Sequence, residues 1–183
     1  MTRLLCTAAV AALALTALAG GAAADTCAEA RAENRYVGHE ITDPRVTQAL
    51  ADIVKASGLE PNVVACELKM PYFNAIAENL GGHYYIGISP RVLAQSTDAE
   101  LRAVIGHEMG HIALGQRVAG FELTHHRTIK YEEQADALSA RWFGKEGMIS
   151  VLTKLKADAQ HLPSETRRRL ATAEIDARIK ALQ

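Results

Sequence analysis

Apart from its N-terminal run, the 183-residue chain has no apolar stretch approaching the length of a membrane span, so the bulk of it is expected to be a soluble domain. It also lacks an excess of either charge. Twenty Lys and Arg stand against 21 Asp and Glu, a net charge of −1, which offers no electrostatic case for nucleic acid as a partner. There is no internal repeat, no low-complexity tract and no linker. After the N-terminal run the length suits one domain with a core of its own, over residues 25–183. Cysteine is scarce as well: Cys6 lies in the N-terminal run, which leaves Cys27 and Cys66. Two cysteines in an exported protein favour one disulfide, closing a loop that stabilises by roughly 3–4 kcal/mol. The alternative is two unpaired thiols in a small core.

The N-terminal run reads as a signal peptide over residues 1–24. Arg3 supplies the positive start, residues 4–18 are an apolar Ala/Leu stretch, and Ala22-Ala23-Ala24 offers small residues for cleavage before Asp25. Lipid attachment would need a cysteine where Asp25 stands. An uncleaved N-terminal anchor is the competing reading.

Residues 42–57 read as a helix, with Asp43 as cap, Pro44 in the first turn, an apolar stripe of Val46, Leu50 and Ile53, and Gly58 as its stop. Residues 62–68, 72–77 and 83–89 read as strands, the last two separated by a turn at Gly81-Gly82. Thr97-Asp98-Ala99-Glu100 is a capping box opening a helix over residues 98–114, with Gly115 beyond it. A polar loop follows over residues 116–127. Three further helices are expected over 128–143, 148–160 and 164–182. The order of elements predicts an α+β domain, a small sheet containing antiparallel pairs packed on helices.

Inside the capped helix lies His107-Glu108-Met109-Gly110-His111. Two histidines four apart on a helix project from one face, so both imidazoles can reach one metal ion. Glu108 beside them can take a proton from water activated by that ion, for attack on a carbonyl. Zinc in a catalytic site needs a third protein donor and an open position. A third histidine six residues on is ruled out, because Arg117 stands there and Leu114 replaces the glycine that such a turn requires. The other source is a carboxylate from a second helix. Glu132-Glu133-Gln134-Ala135-Asp136 supplies Glu132 and Asp136, four apart on one face, so one can bind metal while the other orients a ligand histidine. Glu133 points away and suits a solvated position.

HEMGH followed about twenty residues later by EEQAD resembles the gluzincin metallopeptidases of the HtpX and CAAX-prenyl-protease type, metallopeptidase family forty-eight. The similarity covers roughly residues 72–143. It includes Asn74-Ala75, Gly82, the aromatic strand after it, and Asp98-Ala99-Glu100-Leu101. The resemblance implies a zincin-like domain with one zinc ion on His107, His111 and Glu132, Glu108 as catalytic base and Asp136 behind a ligand. It also places Asn74 and Ala75 on a substrate-side strand. Members often carry membrane helices around the catalytic core, and this chain looks more like the soluble, exported bacterial branch, which implies the periplasm. A family His-Pro turn is matched imperfectly by His161-Leu162-Pro163. There His161 is a candidate for stabilising the oxyanion or for holding the resting metal, against a capping or solvated histidine. Arg168 sits at the family spacing from Pro163, within three consecutive arginines.

The expected activity is zinc-dependent hydrolysis of peptide bonds in unfolded or misfolded exported proteins, a quality-control protease. The competing reading is a latent or non-catalytic zinc module that holds clients or assembly partners. His125 and His126 are open between covering the cleft, binding a second ion and simple solvation. Trp142 and Phe143 read as core.

Overall fold

A computed structural model describes residues 26–59, 62–80, 83–116 and 125–183, with side chains in the last segment from residue 129 onward. The signal-peptide reading of residues 1–24, the Gly81-Gly82 turn and the greater part of the 116–127 loop fall outside these residues. Among the described residues the order is α1 (Thr26–Glu33), β1 (Val37–Glu40), α2 (Pro44–Ser57), β2 (Val63–Leu68), β3 (Ala75–Leu80), β4 (His83–Ile88), α3 (Pro90–Gln95), α4 (Asp98–Ala113), α5 (His125–Phe143), α6 (Lys145–Ala159) and α7 (Glu165–Ala181). The α+β class holds.

The four strands form one sheet in the order β1-β2-β4-β3. The β1/β2 and β3/β4 pairs are antiparallel, and β2/β4 is parallel with Val63 opposite Tyr84 and Glu67 opposite Ile88. Strand alternation gives the sheet two buried faces. Ala65, Ile86 and Ile88 face the main core with Val46, Ile53, Leu101, Ile105, Met109 and Leu152. Cys66 and Tyr85 face the other way, onto Cys27, Ala30 and Val37. Helix α1 covers that second face, and the Cys27–Cys66 disulfide ties it to β2.

The helix starts follow the sequence closely. The Asp43 side chain accepts from the Arg45 amide at 2.9 Å, and Gly58 closes α2 at φ +68°. In α4 the Thr97 hydroxyl accepts from the Glu100 amide while the Glu100 carboxylate accepts from the Thr97 amide at 2.7 Å. Other expectations require correction. The strand placed at residue 72 begins at Ala75, because the Phe73 amide donates to Asp158 of α6 instead of entering the sheet ladder. Helix α5 begins at His125, so His125 and His126 belong to its first turn and not to a loop. Helix α6 begins at Lys145. Helices α1 and α3 and strand β1 were not foreseen. Cys66 accordingly lies in the second strand of the sheet, not the first.

Helix α4 runs through the middle of the domain, packed against α2, α5, α6 and β3. Two glycines permit its approach to α5. A Cβ on Gly110 would stand 3.0 Å from Ala135 Cα and 3.1 Å from its carbonyl oxygen, and one on Gly106 would stand 2.9 Å from Ser139 Oγ. The Ser139 hydroxyl donates to the Ala103 carbonyl at 2.7 Å, a second tie between the two helices.

Candidate metal centre

The close α4/α5 packing brings the two halves of the sequence motif together. His107 and His111, one turn apart on α4, turn their Nε2 atoms toward each other at 3.1 Å. Glu132 of α5 closes the group, with Oε2 3.3 Å from His107 Nε2 and Oε1 3.6 Å from His111 Nε2. Candidate ligand atoms of these three residues all lie within 4.8 Å of one another. Donors about 2.0–2.2 Å from a tetrahedral ion are separated by roughly 3.3–3.6 Å. The observed separations bracket that value, so the residues present fit a small divalent ion.

The other ring nitrogens are held from behind. His107 Nδ1 is 2.8 Å from Asp136 Oδ1, one turn beyond Glu132 on α5. His111 Nδ1 is 2.9 Å from Gln116 Oε1, and the Gln116 amide nitrogen donates to Gln134 Oε1 at 2.8 Å. With an Nδ1 proton donated to an oxygen, each ring offers an Nε2 lone pair to the shared centre. In the metal-free protein, burial lowers the His107 pKa, but the hydrogen bonds its ring donates to Asp136 and Glu132 outweigh burial and carry it up to about 10. His111 is lowered by burial and by the neighbouring His107. Metal uptake should therefore release a proton from the histidine pair.

Glu108 is buried, 6% exposed, and lines the same cavity as the three donors. Burial, helped by the nearby Glu132 charge and opposed by His107, pushes its carboxyl up to about 7. The cavity has a volume of about 330 Å³. One wall is the start of β3, Asn74 to Glu78, and the opposite side is apolar, with Val104, Met148, Val151 and Leu152. Among the described residues β3 pairs only with β4, so it is a sheet edge beside the cavity.

The sequence model of peptidase family M48 matches residues 40–129. That match, over just under half of the chain, supports membership of peptidase family M48. No individually characterised protein gives a significant sequence match. M48 peptidases are metal-dependent, in keeping with a donor group on α4 and α5. The matched segment contains His107, Glu108 and His111 but stops three positions short of Glu132. That donor, and Asp136 behind it, rest on the geometry of α5.

Of the residues singled out in the M48 sequence, His107, Glu108, His111, Glu132, Asn74 and Ala75 line one cavity, and Asp136 sits directly behind His107. Glu133 is half-buried and does not line it. His161 is exposed in the turn after α6 and does not line it either. Arg168 donates to the Leu162 carbonyl in that same turn. Two residues at the site were missed. Gln116 read as the start of a polar loop, although its place five positions after His111 is within reach of a ligand's outer nitrogen. Arg178 lies near the end of α7 with its guanidinium on Asp136 and Glu132, and no local sequence feature announces it.

Proposed function

We propose that this M48 peptidase is a zinc-dependent endopeptidase that cleaves unfolded or misfolded proteins after export, acting in the bacterial periplasm. The observation that carries the reading is the convergence of His107, His111 and Glu132 beside a buried Glu108, in a cavity bordered by a sheet edge. Two imidazoles and one carboxylate are a donor set that suits zinc and keeps a coordination position open for chemistry. The N-terminal signal-like sequence supports export, and the Cys27–Cys66 disulfide suits an oxidising compartment.

Zinc held by these residues supplies Lewis acidity for the scissile carbonyl and acidifies water. Glu108 accepts the proton of the attacking water and passes it to the leaving amine; a carboxyl near pH 7 is matched to both transfers. An extended peptide lies along β3, near Asn74 and Ala75, and pairs with the outer backbone edge of that strand. Main-chain pairing tolerates many side chains, which favours unfolded clients over one defined sequence.

Glu108→Gln is the test. The variant should retain one equivalent of zinc while cleavage of unfolded casein falls roughly 10²–10⁴-fold, the usual contribution of a positioned acid–base group. Undiminished cleavage would remove Glu108 from the chemistry. Failure of the wild-type protein to bind zinc would sink the reading as a whole.

A further inference from the structure

Arg178 is 6% exposed, although it belongs to the last helix and lies outside the segment matched by the family. Its Nε donates to Asp136 Oδ2 at 2.7 Å and its Nη2 to Asp136 Oδ1 at 2.8 Å, a two-pronged contact. Its Nη1 lies 3.0 Å from Glu132 Oε2. One planar guanidinium thus grips both carboxylates of α5. Asp136 Oδ1, already used by Arg178, also meets His107 Nδ1, while Glu132 Oε1 remains directed at His111.

Resting on the reading that His107, His111 and Glu132 hold the metal, we infer that Arg178 is a positioning residue for that group. Acting through Glu132 and Asp136, it sets the affinity and geometry of the site. The physical case is geometric. The Glu132 carboxylate can rotate about its side-chain torsions, and a guanidinium fork fixes its plane where a point charge would not. Asp136 orients His107 only if it is held itself, and Arg178 occupies both of its oxygens. The last helix is therefore part of the metal centre.

A simpler role competes with this one. Arg178 could serve only to neutralise two buried acids, and a cation so close to a ligand carboxylate repels a metal ion. Charge alone and fork geometry give opposite expectations. If only charge matters, removing it leaves metal affinity unchanged or tightens it; if the fork positions the ligands, removing it weakens binding.

The experiment uses the full folded chain with Arg178→Ala and Arg178→Lys. Zinc affinity is measured by chelator competition, the visible spectrum of the cobalt-loaded protein reports ligand geometry, and circular dichroism reports the metal-free fold. Loss of an outer partner of a ligand commonly costs 10–100-fold in metal affinity. Arg178→Ala should fall in that range and Arg178→Lys, with charge but no fork, should lose about tenfold, both with altered cobalt spectra. If Arg178→Ala does not fold, the Lys variant decides. Wild-type affinity and an unchanged cobalt spectrum in a folded variant would overturn the inference, even with a lowered melting temperature. A wild-type protein that takes up no metal would instead overturn the reading beneath it.

Discussion

The two ends of α4 each bury a glutamate, and their surroundings drive the two acids in opposite directions. Glu100, in the first turn, is met by the Thr97 amide and hydroxyl, by the Ser150 hydroxyl at 2.6 Å and by the Lys154 ammonium at 2.6 Å. Burial works against its charge, but these donors outweigh burial and hold its pKa at about 2. Glu108, two turns further along, is pushed up to about 7, chiefly by burial. Both are nearly inaccessible. The difference is that donors from its own chain close off Glu100, whereas Glu108 lines a cavity beside converging nitrogen and oxygen ligand atoms. A buried acid saturated by the fold serves stability. One kept high beside a group of metal donors is available for chemistry.

The sharpest way to break the comparison is to remove a donor at one end only. His111→Ala should weaken zinc binding by well over roughly a hundredfold, beyond the loss typical of an outer partner, and casein cleavage should vanish with it. The metal-free melting temperature should stay near wild type, because the Glu100 end is untouched. Isothermal titration with zinc and a thermal melt check both halves.

Next in size is the reverse change. The folded pKa of Glu100, about 2, lies below its ordinary value of 4.5, so its contribution is fully present above pH 4.5 and is lost as pH falls toward 2. Glu100→Gln should remove roughly 3 kcal/mol at pH 7. It should also flatten the acid limb of stability between pH 4.5 and 2, with zinc affinity unchanged. Urea unfolding across that pH range measures it, and a matching loss of zinc affinity would show that the two ends are coupled.

The smallest effect sharpens the comparison at its boundary. Gly110→Ala adds a methyl against the Ala135 backbone, so α4 and α5 must separate slightly. Overpacking of this kind costs about 1–3 kcal/mol, and here the shift should carry Glu132 away from the histidines. Zinc affinity should fall together with stability, unlike the outcome for Glu100→Gln.

Much of this site is local in the sequence. His107 and His111 share a face because helical periodicity puts them there, and the Thr97–Glu100 capping box sets where that helix begins. Glu132 and Asp136 follow the same logic on the next helix. The misses have physical reasons too. Helix α1, strand β1 and helix α3 span eight residues or fewer, too short for periodicity to mark. The strand start at Ala75 depends on Asp158 capturing the Phe73 amide from 85 positions away. His161 lies beside a proline turn that resembles a family element, yet packing leaves it exposed outside the cavity.

The sequence by itself determined the helix carrying the donor pair, the residue types that bind a metal and the acid that accompanies them, because all of these follow from spacing within a single turn or a single cap. Tertiary structure alone decided that Glu132 would stand 3.3 Å from His107, that β3 would be an edge strand of the described sheet, beside the cavity, and that Arg178 of α7 would reach α5. The side-chain contacts among them join positions 25 to 46 residues apart. Their distances depend on how closely helices pack, which glycines, buried apolar volume and paired charges set together.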